Sequence, residues 1–333
     1  MRPGWRGILG IALSALLLWW TLHGEDLGAV WRVISTSSPG LWLACTVVAT
    51  AIFPLRARRW QAILAPRAGR LPLGPLWRAT AIGMMVNNVF PARAGEFARA
   101  FALSRARPDV KFTTAFASLV VDRLFDGTVV LAMLVLATLD PRFPADATVF
   151  GASAGRIAAT AALFLGVVLA GVAALVFFPA PLIRLGERVV GAVWASGAPK
   201  VRALLEAFAE GLAVVREPAL ALEVLFWTVL HWIVNGLAFY LGFLALGLDA
   251  PLSAAFFLQG LIAIGVAVPS SPGFFGVFEA AAKAGLALYA VPSSLAISWG
   301  LGFHILSFIP ITVIGAWYFT RMHLHVSDLA ASG

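Results

Sequence analysis

Stretches free of Asp, Glu, Lys and Arg occupy positions 33–55, 157–183, 224–248, 250–278 and 284–320. Each is longer than the roughly 18 to 20 apolar residues that cross a bilayer as a helix. A membrane barrel would instead read as segments of about 10 alternating residues, and that pattern is absent. The pattern therefore predicts an all-α polytopic membrane protein. Spans are expected over about 5–23, 41–58, 112–138, 157–178, 219–247 and 293–319. Two further apolar runs, 76–90 and 252–268, are short, and each ends at a proline followed four positions later by a glycine: Pro91 with Gly95, and Pro269 with Gly273. Proline lacks the N–H that a helix needs and glycine loosens the backbone. Both runs are expected to break and turn back as re-entrant helical hairpins. Pro91, Pro269 and Pro272 would act as hinges. The expected fold is about six full transmembrane helices plus two such hairpins.

A shift of 178 residues carries Pro91 onto Pro269, Gly95 onto Gly273, the run 41–58 onto 219–236 and the run 112–138 onto 290–316. Each half then holds three spans and one hairpin. An odd number of crossings turns the second half over, which is the inverted repeat of many secondary transporters. The reading is one membrane domain, 1–325, with halves of about 1–145 and 150–325 and a short cytoplasmic tail, 326–333. An insert at about 180–217 carries Val201, Leu204, Leu205, Phe208, Leu212 and Val215 on one helical face, opposite Arg202, Glu206 and Glu210. An amphipathic helix at the inner surface is expected there.

Composition agrees: 61% of the 333 residues are hydrophobic and 12% charged, against roughly 25% charged in soluble domains. A soluble globule is excluded. The net charge of +8 does not point to a nucleic-acid partner, because the basic residues lie between apolar runs and not in a compact basic domain. With the N-terminus inside, most Lys and Arg fall on the inner side, and Arg32, Arg142, Arg156 and Lys283 fall outside. By the positive-inside rule both termini are expected in the cytoplasm of a cell that keeps this chain in its inner or plasma membrane. Arg2 and Arg6 precede an apolar run like that of a signal peptide, but no small-x-small site follows before Glu25. The run is read as an uncleaved first helix. Cys45 is the single cysteine, so no intramolecular disulfide and no cysteine-based metal site can form. No cofactor is expected.

Charged groups at membrane depth cost about 2.5–3.5 kcal/mol each on insertion scales. Eight fall inside the expected membrane segments: Arg93, Glu96 and Arg99 in the first hairpin, Asp122, Arg123 and Asp126 in the third span, and Glu279 and Lys283 in the second hairpin. Four are positive and four negative, a balanced set able to pair internally and to exchange partners with a charged substrate. Glu96 with Arg99, Asp122 with Asp126, and Glu279 with Lys283 each share a helix face. Alternatively, the pairs only fix helix packing and hairpin shape. Asn87 and Asn88 precede the first break, where an amide could satisfy freed backbone groups or meet substrate. His304 lies 178 positions after Asp126, and His231 shares a face with Asn235. A proton relay through His231 and His304 competes with plain packing roles. Trp19, Trp20 and Trp317, near span ends, suit interfacial anchoring.

The run N-N-V-F-P-A-R-A-G-E-F-A-R at 87–99 resembles the N-N-x-x-P-x-R-x-G-E-x-x-R signature of the lysylphosphatidylglycerol synthase transmembrane-region family, flippase-like membrane domains also called UPF0104. V-D-R-L-F-D at 121–126 is similar to its E-R-x-x-D, and P-S-S-P-G-F-F-G-V-F-E at 269–279 to its P-x-x-P-G-G-x-G-x-x-E. The likeness covers nearly the whole chain. Asp122 stands where Glu is usual, and Phe274 where Gly is usual, leaving less backbone freedom in the second break. Members with lipid-synthesising activity carry a soluble aminoacyl-transferase; this chain ends at Gly333, so only the translocation half is implied, with a separate synthesising enzyme as a possible partner.

The expected function is a lipid flippase or translocase, not an enzyme. A polar groove between the repeats would carry the headgroup of a phospholipid or isoprenoid-linked lipid. Asn88, Arg93, Gly95, Glu96, Arg99, Asp122, Arg123, Asp126, Gly273, Gly276 and Glu279 would line it, with arginines suited to phosphate and carboxylates to any cationic group. A secondary transporter of a small solute fits the repeat equally well. An intramembrane enzyme acting on lipid-linked substrates is the other alternative, although H-E-x-x-H, G-x-S-x-G and P-loop motifs are absent.

Overall fold

The computed structural model describes residues 5–90, 94–144, 146, 148–149, 151–267 and 271–324. Pro91, Arg93 and Pro269 lie outside the described residues. Among those described, the chain is helical apart from one antiparallel pair of two-residue strands, β1 (Thr148–Val149) and β2 (Ala152–Ser153). The helices are α1 (Trp5–Leu22), α2 (Leu27–Thr36), α3 (Pro39–Ala68), α4 (Leu73–Val89), α5 (Gly95–Ala106), α6 (Phe112–Ala137), α7 (Ala154–Phe177), α8 (Pro179–Val193), α9 (Ala198–Gly211), α10 (Ala213–Arg216), α11 (Pro218–Ala245), α12 (Leu252–Ala267), α13 (Val277–Ala287) and α14 (Ser293–Arg321).

The starts are written in local chemistry. Asp26 caps α2 by accepting the N–H groups of Gly28 and Ala29, and Ser38 caps α3, with Pro39 in its first turn. Pro54 and Pro66 in α3 and Pro310 in α14 do not stop their helices. An apolar environment offers the neighbouring backbone no water to bond, so continuing the helix past one lost N–H is the better solution.

The six expected spans correspond to α1, α3, α6, α7, α11 and α14. Four helical segments, α3, Gly155–Phe177 of α7, α11 and α14, are long and apolar enough to cross a membrane. The part of α1 from Ala12 and most of α12 are shorter apolar helices. α6 has 26 residues but carries Asp122, Arg123 and Asp126 at its middle. α3 runs ten residues past its expected end at 58, which places Arg59 in the helical body with Arg56. The ten-residue α2 was not foreseen, being too short and too mixed in character to stand out as an apolar run.

α3 and α11 pack along each other, with the Cys45 thiol donating to the Ala238 carbonyl at 3.2 Å. Beside them Phe239, Phe243, Phe278, Trp299 and Phe303 form an aromatic core joining α11, α13 and α14. α4 lies between α5 and α14, and α12 between α13 and α6. The α4–α5 pair is very close: a Cβ on Gly95 would come 2.1 Å from the Gly83 carbonyl oxygen, and one on Gly83 would come 2.7 Å from that of Gly95. Only glycine at both positions permits this approach. In the insert, α8 and α9 pack at Gly186, against which Leu205 and Val201 rest. Leu212 and Val214 are buried with Ala62, Ile63 and Val121 of α3 and α6.

Candidate functional site

The densest polar feature lies between α3, α5 and α6. Asp122 and Asp126 stand one turn apart on α6 and share a face. Opposite them Arg59 of α3, with no exposed surface, is the hub. Its Nε donates to Asp122 Oδ1 at 2.7 Å, and its Nη1 and Nη2 donate to Asp126 Oδ1 and Oδ2 at 2.5 and 3.1 Å. Nη2 is also 2.6 Å from Asp122 Oδ1. Arg99 of α5 reaches Asp122 Oδ2 at 3.1 Å with Nη1, while its guanidinium lies 4.1 Å above the Trp60 ring. Trp60 is held in turn by a 2.7 Å bond from Nε1 to Ser118 Oγ.

Arg123 joins the two acidic elements, at 3.3 Å from Asp126 Oδ2 and 3.3 Å from Glu96 Oε1. Arg56 approaches Asp126 Oδ2 at 3.8 Å. From α11, Trp232 donates through Nε1 to Asp126 Oδ1 at 3.0 Å, and His231 Nδ1 stands 3.8 Å from the same oxygen without a hydrogen bond. Asn87 ties the network to the first break. Its Oδ1 accepts the Gly95 N–H at 2.8 Å, capping α5 from the end of α4, and its Nδ2 donates to Glu96 Oε2 at 3.4 Å. Asn88 is engaged elsewhere, donating to Thr312 Oγ1 on α14 at 2.7 Å.

A cleft of about 800 Å³ opens from this network between α6, α7, α11 and α12. Arg123, Asp126 and Trp232 supply polar groups of its wall, Arg156 and Thr160 those contributed by α7, and aliphatic residues such as Val130, Leu131, Ile157 and Ile264 the remainder. The side chain of Arg123 is 37% exposed, which makes it the arginine of the network that the cleft reaches.

The second break has separate chemistry. Gly273, Phe274 and Gly276 all take positive φ, at 67°, 64° and 87°. The carboxylate of Glu279 is fully buried; its Oε2 accepts the Gly276 N–H at 2.6 Å, and its Oε1 meets His304 Nδ1 at 2.6 Å. His304 Nε2 donates to the Gly273 carbonyl at 2.7 Å, and its ring is flanked by Phe275 and Phe278 with centroids 4.3 and 4.6 Å away. The two breaks touch: a Cβ on Gly273 would come 3.3 Å from the Asn88 carbonyl oxygen.

The expected balanced set of eight charges is therefore distributed differently. Glu96, Arg99, Asp122, Arg123 and Asp126 gather as foreseen. Glu279 pairs with neither Lys283 nor Arg123; its carboxylate is taken up by the Gly276 N–H and His304. Lys283 instead meets Glu25 at 2.9 Å and donates to the Thr21 carbonyl at 2.9 Å. One helical turn on the same helix is a weak constraint when each group finds a better-fixed partner on another helix. His231 and His304 likewise sit in different networks. Arg56 and Arg59 were assigned to the inner surface by the count of basic residues. Their i, i+3 spacing at the end of an apolar run, matching the i, i+4 acids of α6, is the signal that could have found them.

The three motifs at 87–99, 121–126 and 269–279 all lie within the region, residues 7–315, that matches the family described as the lysylphosphatidylglycerol synthase TM region. The chain belongs to this family. With its long apolar helices, the family assignment makes this a multi-pass membrane protein. A relative named glycosyltransferase AglD, from Haloferax volcanii, is 32% identical over 158 residues, 45% of this chain. The matched stretch is only 25% of that relative's length. No solved structure gives a significant match.

Proposed function

We propose that this member of the lysylphosphatidylglycerol synthase TM-region family is a lipid flippase, moving a polar headgroup between the leaflets of the cell's inner membrane. The observation that carries the reading is the cleft of about 800 Å³, apolar along most of its wall, with Arg123 and Asp126 of the ionic network among the residues that line it. Acyl or isoprenoid tails remain in contact with aliphatic side chains while the headgroup exchanges its hydration for the ionic network, which removes most of the cost of taking a charge into hydrocarbon.

An inverted repeat supports alternating exposure of that cleft. Under the shift of 178 residues α3, α4, α5 and α6 correspond to α11, α12, α13 and α14. The packing respects the exchange: α4 against α14 has its counterpart in α12 against α6, and α5 against α6 in α13 against α14. In this reading α4–α5 and α12–α13 are re-entrant hairpins whose breaks meet at Asn88 and Gly273, and the basic-residue bias sets both termini in the cytoplasm. The test is a leaflet assay with the purified chain in liposomes containing a fluorescent phospholipid. Externally added dithionite is expected to bleach the inner-leaflet label in wild-type vesicles faster than in empty ones, and Arg123→Ala is expected to return the rate to that of empty vesicles. Equal rates for wild type and Arg123→Ala would overturn the site.

A second reading is favoured by the name of the Haloferax volcanii relative, a glycosyltransferase: an intramembrane part acting on a lipid-linked substrate. Thin-layer chromatography of the lipids after the same incubation separates the two, since an enzyme changes their identity and a flippase only their leaflet.

A further inference from the structure

The ionic network is asymmetric in a way that bears on which headgroup it accepts. Every carboxylate oxygen in it is occupied. Asp122 Oδ1 is bonded by Arg59 and Oδ2 by Arg99. Asp126 Oδ1 accepts from Arg59 and Trp232, and Oδ2 from Arg59, with Arg123 3.3 Å away. Glu96 Oε1 faces Arg123 and Oε2 accepts from Asn87. The donors are not exhausted. Arg56 Nε, Arg99 Nε and Nη2, and Arg123 Nε are buried with no hydrogen-bond partner. Among the described residues the guanidinium groups of Arg56, Arg59, Arg99 and Arg123 face only the carboxylates of Glu96, Asp122 and Asp126. One positive charge is uncompensated.

Resting on the flippase reading of the same site, we propose that its substrate is a lipid with an anionic phosphate headgroup that carries no compensating cation. A phosphate oxygen supplies what the network lacks: negative charge and acceptors for guanidinium N–H groups, in charge-assisted bonds that arginine is shaped to make. An ammonium group supplies what it already has in excess. It would add positive charge beside buried arginines and find each carboxylate oxygen in use, and in a low-dielectric site that repulsion is weakly screened. The site accordingly selects phosphatidylglycerol, or an isoprenoid phosphate bearing a neutral group, over a lysylated phosphatidylglycerol, whose two ammonium groups outnumber its phosphate.

The experiment is a binding titration on the full chain in neutral detergent, reading the tryptophan fluorescence change that is absent in a Trp232→Phe control. The probes are short-chain phosphatidylglycerol, its lysyl ester and inorganic phosphate. Phosphatidylglycerol is expected to bind about tenfold or more tightly than the lysyl ester, with affinity falling as salt rises. Equal or tighter binding of the lysyl ester overturns the proposal. Inorganic phosphate binding as tightly as the lipid would assign the site to a soluble anion and overturn the lipid part. Glu96→Gln keeps the shape of the side chain and removes a negative charge. It is expected to tighten phosphatidylglycerol binding by about threefold or more, whereas weakened binding in a variant with wild-type size-exclusion behaviour counts against the proposal. Because the titration needs no transport, anion-selective binding without leaflet exchange would sink the flippase reading alone, and leaflet exchange without anion preference would sink this one alone.

Discussion

The imidazole of His304 stands 2.6 Å from the carboxylate of Glu279, and its other nitrogen lies 2.7 Å from the carbonyl oxygen of Gly273. A carbonyl oxygen only accepts, so Nε2 carries a proton, and the short contact at Nδ1 holds one more proton between the ring and the acid. Glu279 in turn caps α13 through the Gly276 N–H. The pair thus pins a four-residue segment with three positive-φ positions, Gly273, Phe274 and Gly276. Replacing His304 by Leu leaves a buried acid with one partner fewer and is expected to cost about 3–5 kcal/mol. The double variant Glu279→Gln with His304→Leu is expected to recover part of that loss, because no charge is then stranded. Thermal unfolding midpoints of the singles and the double in one detergent give the coupling directly. Strict additivity would deny the pair its role.

Arg59 bonds both Asp122 and Asp126 from a position with no exposed surface. Arg59→Met keeps the length and apolar stem but leaves two neighbouring acids with weaker compensation, and it is expected to destabilise the fold by about 3–5 kcal/mol. Arg59→Met combined with Asp122→Asn and Asp126→Asn removes the stranded charges and is expected to be more stable than Arg59→Met alone. The readout is the fraction of monodisperse protein after extraction and mild heating. A single variant as robust as wild type would make Arg59 dispensable to the assembly.

Much of this architecture was legible in the chain because hydrocarbon imposes a simple code. α1, α3, α6, α7, α11 and α14 follow from runs of apolar residues, and α4 and α12 from runs cut short at a proline. The acids of α6 announced themselves by their cost. Less legible was the destination of each charge. Arg56 and Arg59 read as surface residues because basic side chains usually flank a span, and only the continuation of α3 past 58 to Ala68 puts both within the helical body. Lys283 and Glu279 read as a pair because spacing along one helix is visible in sequence, while the partners they choose, Glu25 and His304, come from elements about 260 and 25 residues away. Phe274 marked the unusual backbone correctly: it takes φ of 64°, where the family's usual glycine would be unstrained.

The crossing of α4 and α5 offers a test of the first break that involves no charge. Gly95 begins α5, and its N–H is held by Asn87 while its Cα lies against the Gly83 carbonyl. A methyl group there would overlap backbone, which cannot rotate aside as a side chain can. Gly95→Ala is expected to destabilise by about 1–3 kcal/mol or more, the cost of overpacking. Gly127→Ala on α6, where nothing lies within 4 Å of an added Cβ, is expected to be as stable as wild type or more so by about 1 kcal/mol, because alanine favours a helix interior over glycine. A proteolysis time course in detergent resolves the two, and equal digestion of both variants would mean that the helices separate without penalty.

The tie between the amino-terminal helices and the second half is open to titration. Glu25, in the turn between α1 and α2, accepts from Ser293 Oγ at 2.6 Å and faces Lys283 at 2.9 Å. The Ser293 hydroxyl first, and then Lys283, hold its carboxyl below the ordinary value of 4.5. A carboxyl that titrates lower in the folded chain than in the unfolded one stabilises the fold fully above its unfolded value. The contribution is lost as pH falls through the lowered folded value. Glu25→Gln removes the charge and keeps an acceptor for the hydroxyl, so wild type is expected to unfold at a higher temperature than Glu25→Gln at pH 7. The gap is expected to close as the pH is lowered past 4.5. Melting curves of the two proteins across that interval check the sign, and a gap that stays constant with pH would show that Glu25 holds α1 to α13 by shape and not by charge.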